Sequence, residues 1–101
     1  MAYEAGALEA TLQAAAGGDA ALLAELRAVY MESVARQVDL LERSRCDGNW
    51  TIAAMRLKGL AASFHSEALL LLAEEALMAA PGEPTVVRRL KSYIEQASPA
   101  E

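Results

Sequence analysis

Apolar residues recur three and four positions apart along nearly the whole chain, and nowhere do they alternate with polar ones as a half-buried strand requires. Leu8 and Leu12 mark a short first segment. Leu22, Leu26, Tyr30, Val34, Val38 and Leu41 mark a second, the longest, from roughly Ala20 to Ser44. Trp50, Ala53, Ala54, Leu57, Leu60, Ala61 and Phe64 mark a third. Leu69, Leu72, Ala73, Ala76 and Leu77 mark a fourth, and Val86, Val87, Leu90, Tyr93 and Ile94 a fifth. Four breaks separate them. Gly17-Gly18-Asp19 offers Asp19 as an N-cap, and Cys46-Asp47-Gly48-Asn49 offers Asp47 or Asn49. Phe64-His65-Ser66 offers Ser66 ahead of Glu67, and Pro81-Gly82-Glu83-Pro84 places Pro84 in a first helical turn. Loops this short make neighbouring helices antiparallel. The pattern predicts an all-α chain, an antiparallel four-helix bundle with a short N-terminal lid helix. Residues 1–101 form one domain, with the lid over 1–16, the bundle over 19–97 and a frayed tail over 98–101.

Composition supports helices. The chain is 54% hydrophobic but only 5% aromatic, so Ala and Leu carry most of the apolar content. At 101 residues there is room for one core and not two. A net charge of −5 argues against a general nucleic-acid binder, which needs a basic surface. Cys46 is the only cysteine, so no internal disulfide forms and a reducing compartment is the simpler expectation. The first sixteen residues carry Glu4 and Glu9 without a basic start, unlike a secretory signal. The run from Ala68 to Leu72 is far too short to span a bilayer. These features predict a soluble, cytoplasmic monomer, or a domain cut from such a protein, with no membrane or nucleic-acid partner.

The third helix departs from this plain picture. At about 100° per residue, its core residues fall on one arc, and Ile52, Met55, Gly59 and Ala62 fall on nearly the opposite side. Thr51 and Lys58 border this second apolar stripe on one edge, Arg56 and Ser63 on the other. A glycine inside a helix costs about 1 kcal/mol relative to alanine, so Gly59 predicts that something approaches the backbone closely there. No Asp or Glu occurs from Gly48 to Ser66, so an acidic chain carries one locally basic helix with a notched apolar outer face. Such a face suits an acidic, partly apolar partner. The plainer alternative is that the N-terminal helix covers it.

The run Ala54-Met55-Arg56-Leu57-Lys58-Gly59-Leu60-Ala61, followed by Ala62-Ser63-Phe64-His65-Ser66 and then Glu67-Ala68-Leu69, resembles the site helix of the histidine-containing phosphotransfer (HPt) domain family. The order of a lid helix, a long helix, the site helix and two more resembles that family's layout. The resemblance implies phosphorelay signalling, with a response-regulator receiver domain or a histidine kinase as partner. It places Lys58 as the positive charge near a phosphoryl group and Gly59 as the clearing for the receiver. It places Met55 where the family has its phosphorylated histidine. A thioether gives no stable phosphorylated intermediate, and Arg56 stays protonated and is no nucleophile. The expectation is therefore binding without transfer, with no catalytic residue, through Ile52, Met55, Arg56, Lys58, Gly59 and Ala62. The alternatives are phosphoryl transfer through His65, or an unrelated helical bundle that self-associates through the same stripe.

Other candidates are weaker. His65, the only histidine, stands ten residues beyond Met55, about 15 Å along a continuous helix, where the family has a turn glycine. His65, Glu67 and the remote Cys46 make no closed metal site, and no metal or cofactor is expected. Glu74-Glu75 and the Arg88-Arg89-Lys91 cluster read as solvated faces. Gly17-Gly18 lacks the Lys-Ser/Thr of a phosphate-binding loop. Gln37 falls in the apolar arc of the long helix, where it either bonds a neighbouring helix or lines the site.

Overall fold

The computed structural model describes residues 2–97. The frayed tail expected at 98–101 lies outside the described residues. The chain forms five helices: α1 (Ala2–Ala16), α2 (Ala20–Glu42), α3 (Asp47–Phe64), α4 (Glu67–Met78) and α5 (Pro84–Ala97). Among the described residues there is no strand, and no helix is long and apolar enough to cross a membrane.

Helix α3 packs against both α2 and α4, and α5 packs against α2 and α4, so these four close a ring; α1 lies mainly on α2. The core is what the helical spacing predicts. Tyr30, Val34, Val38 and Leu41 from α2 meet Trp50, Ala53, Ala54, Leu57 and Ala61 from α3, with Leu69, Ala73, Ala76, Val86, Val87 and Leu90 closing the far side. Tyr30 and Phe64 pack with ring centroids 4.8 Å apart at one end of the α2–α3 seam. Small alanines on α3 and the large Trp50 at its start are buried together in this core. Leu22 is a correction to the predicted stripe. It is 37% exposed, and neither it nor the half-buried Leu26 belongs to the core cluster.

Local chemistry explains most boundaries. Asp19 accepts from the Leu22 backbone N–H at 3.1 Å, and Ser66 accepts from Leu69 N–H at 3.3 Å. Each satisfies an orphan donor of the first turn. Pro84 opens α5, where its missing N–H is no loss. The start of α3 differs from expectation. Its N-cap is Cys46, with extended backbone and no side-chain bond, and Asp47 and Asn49 both lie inside the helix. There Asp47 faces the positive end of the helix dipole, which stabilises the first turn without a capping bond. Helix α3 ends at His65, which adopts the left-handed conformation with φ 61°, a strained choice for a residue with a Cβ.

Ser66 does more than cap. Its Oγ lies 2.9 Å from the Tyr93 hydroxyl, which lies 2.8 Å from the Tyr30 hydroxyl. Three hydroxyls thus join α2, α5 and the start of α4 inside an otherwise apolar interior, where polar groups are stable only when bonded to one another.

Helix α1 is held differently. Leu12 and Ala16 are buried, and two polar contacts fix its orientation. Arg27 Nη2 lies 2.7 and 2.8 Å from the two carboxylate oxygens of Glu9. The hydrogen bond from Arg27, then that from Gln13, holds the Glu9 carboxyl below its ordinary value of 4.5. A depressed folded-state value means that the contribution is fully present above the unfolded value. It is lost as pH falls through the folded one. Acidification below about pH 4.5 is therefore expected to loosen α1 from α2, and Glu9→Gln should flatten that dependence. Amide exchange across α1 as a function of pH is the check, and an unchanged profile in Glu9→Gln would refute the assignment.

Candidate functional site

The outer face of α3 is open. Ile52 is 50% and Met55 52% exposed, and Gly59, Ala62, Arg56 and Ser63 are exposed with them. Helix α1 touches α3 only lightly and leaves this stripe uncovered. Five of the six residues singled out in the sequence therefore share one solvent-facing surface, and the sixth, Lys58, sits half-buried on its edge.

Lys58 corrects the picture of an acid-free basic helix. Its Nζ lies 3.8 Å from a carboxylate oxygen of Glu74 on α4. The sequence window around Lys58 holds no acid, but the neighbouring helix supplies one. An exposed pair of this kind is worth little in stability, but it offsets the local charge. Glu75 bonds Arg89 on α5 instead, so the adjacent glutamates serve two different interhelical contacts and do not act as a paired carboxylate. Lys91 likewise pairs with Glu42 at 2.8 Å.

Gly59 has no internal explanation. A Cβ placed there meets nothing within 4 Å beyond its chain neighbours and its own helix backbone. The close approach expected from the sequence is therefore not made by any described part of this chain. Gly59→Ala is predicted to stabilise the fold by about 0.5–1 kcal/mol, since alanine is the better helix former and nothing obstructs its methyl. A rise in the denaturant midpoint with an unchanged slope would register this. A fall would mean that the helix backbone is less regular there than it stands.

On the Arg56 edge, α2 and α3 leave an open groove that the spacing within either helix alone does not reveal. Leu40 from α2 and Arg43 just past its end line it, with Asn49, Ile52, Ala53 and Arg56 from α3. Leu40 is 37% exposed. One signal was available. Leu40 and Leu41 are adjacent on a helix, so only one can point to the core, and Leu41 continues the buried series.

Gln37 lies on the same edge of α2, three residues before Leu40. Its Oε1 is buried and has no hydrogen-bond partner, so the interhelical bond expected as one possibility is not formed by this oxygen.

His65 stands at the other end of α3 and is engaged with α1. Thr11 Oγ1 donates to the Ala7 carbonyl at 3.0 Å, and His65 Nδ1 lies 2.9 Å from the same Oγ1. The histidine thus ties the α3–α4 turn to α1. Cys46 is exposed, and among the described residues no three His, Cys, Asp or Glu side chains come together as a metal site would need. Compared with known proteins, the chain matches no protein-family model, no curated protein and no solved structure.

Proposed function

We propose that this chain is an HPt-like interaction module of phosphorelay signalling. In this reading it is an antiparallel four-helix bundle with α1 as its lid helix. It binds a receiver domain, or a histidine kinase, through the stripe Ile52-Met55-Gly59-Ala62, and it carries no phosphoryl group because Met55 occupies the acceptor position. The observation that carries this reading is the open, glycine-notched face of α3. Gly59 weakens its own helix, nothing among the described residues fills the space beside it, and the flexible, polarizable Met55 stands one turn away, 52% exposed. Binding without transfer would sequester a receiver or compete with a functional phosphotransfer protein.

The test is titration of the purified protein against a panel of receiver domains from the same organism. At least one should bind. Gly59→Ala, which is expected to fold more stably than the parent, should weaken that binding about tenfold, because a methyl forced into a packed contact costs about 1–3 kcal/mol. Stability and binding then move in opposite directions in one variant. Failure of every receiver to bind the folded parent removes this reading.

A further inference from the structure

The geometry points to the α2–α3 groove, and to Arg56 and Arg43 within it, as the element that selects the partner. The occupant is an acidic segment of the docking protein that lays an apolar side chain between Leu40 and Ile52 and its neighbouring carboxylate on the two guanidinium groups. This inference rests on the docking reading above and refines it.

Three observations carry it. First, two helices contribute apolar side chains to a groove whose other lining residues are polar or charged. Leu40 and Ile52 are large side chains left 37% and 50% exposed on α2 and α3, with the small Ala53 between them. The exposed apolar part of such a groove accepts an anchor side chain, which is where interface energy concentrates.

Second, the charged residues lining the groove are both arginines, in a protein of net charge −5. Arg56 forms no ion pair among the described residues. Among the described residues the Arg43 side chain pairs with Asp39 one turn before it, at 3.1 Å, with both side chains largely in solvent. Such a pair gives way to a better-placed carboxylate. The planar fork of arginine matches a carboxylate in two parallel hydrogen bonds, which gives the contact direction as well as strength.

Third, the other cation of the site has a carboxylate beside it that offsets its charge. Lys58 lies on the opposite edge of the stripe, near Glu74. The field across the α3 face is therefore asymmetric, with its unpaired positive charge toward α2. An acidic partner is drawn to the Arg56 edge, and its orientation over Gly59 follows from that.

The experiment is calorimetric titration of the best-binding receiver domain with four proteins: the parent, Arg56→Glu, Leu40→Asp and Arg88→Glu. Arg88 is exposed on α5 and makes the same charge change on another face. Arg56→Glu and Leu40→Asp should each weaken binding about tenfold or more, and Arg88→Glu by no more than about twofold. The parent's affinity should fall with added salt, and this slope should be shallower in Arg56→Glu. Arg56 is exposed, so its variant folds even if Leu40→Asp does not. If both groove variants bind like the parent while Gly59→Ala still weakens binding, the groove is overturned and the docking reading stands. If no receiver binds the parent, both fall together.

Discussion

Replacing Trp50 with alanine should lower the unfolding free energy by about 3–5 kcal/mol, the largest stability change expected from any single substitution here. Trp50 is 2% exposed and sits where the start of α3 meets the end of α4. Its indole N–H donates to the Ala76 carbonyl at 2.8 Å across that junction. Truncation removes the largest side chain of the core together with a buried bond. The buried Ala53, Ala54 and Ala76 carry only methyl groups, too short to reach into the void, so the site collapses poorly. A domain of this size has only about 5–15 kcal/mol of stability, and a loss of this magnitude leaves it marginal at body temperature. Trp50→Phe separates the two contributions. It keeps most of the aromatic volume and loses the hydrogen bond, at about 1–2 kcal/mol. The Ala76 carbonyl still accepts from Ala79 N–H at 3.2 Å, so it is not left alone. Urea unfolding followed by far-ultraviolet circular dichroism measures both. A Trp50→Ala cost below about 1 kcal/mol would mean that the α3–α4 junction is not part of the cooperative core.

Met55→His is the second change with a large expected outcome, and it concerns chemistry. The parent should take up no phosphoryl group on the α3 face. In the variant, a neutral imidazole nitrogen can attack the phosphorus of a receiver's aspartyl phosphate. A nitrogen–phosphorus bond forms, the phosphorus–oxygen bond to the aspartate breaks, and the carboxylate leaves. The position is suitable because residue 55 is 52% exposed and Gly59 lies one turn on, where it leaves room for the donor. Lys58 is three residues away on the same helix, and its pairing with Glu74 is loose enough to yield to a phosphoryl group. Acid-labile label transferred from a phosphorylated receiver should therefore go from absent to measurable. His65→Ala placed on top should leave that label intact, because His65 is directed toward Thr11 at the other end of the helix. A folded variant that binds a receiver and still stays unlabelled would show that more than the nucleophile separates this face from a phosphotransfer site.

The parts of this molecule that sequence exposes are those decided within one helix. The spacing of Tyr30, Val34, Val38 and Leu41 marks the buried side of α2, and local capping chemistry at Asp19, Ser66 and Pro84 marks three starts. The outward stripe of Ile52, Met55, Gly59 and Ala62 follows from the helical repeat, because an angle around one axis needs no knowledge of neighbours. The start of α3 was misplaced because polar residues at Asp47 and Asn49 look like caps, whereas the chain turns at Cys46 with its backbone alone. Contacts between helices were not legible. Glu74 reaches Lys58, Leu40 faces Ile52 across a groove, and Thr11 meets His65, and each depends on a register that no local pattern encodes. The candidate site was therefore visible as a stripe and invisible as a groove, and its charge balance changed once α4 was in place.

Trp50 is also the only tryptophan in the chain, and it stands among the core residues of α3 while Met55 stands on the outer face. Excited near 295 nm, the domain therefore has a single emitter held away from water and from any ligand on that outer face. Its emission reports whether the interior is intact and changes little when the outer face is occupied. One fluorescence trace recorded during a titration can thus show that a surface variant kept its fold, while the binding signal itself is collected by another method.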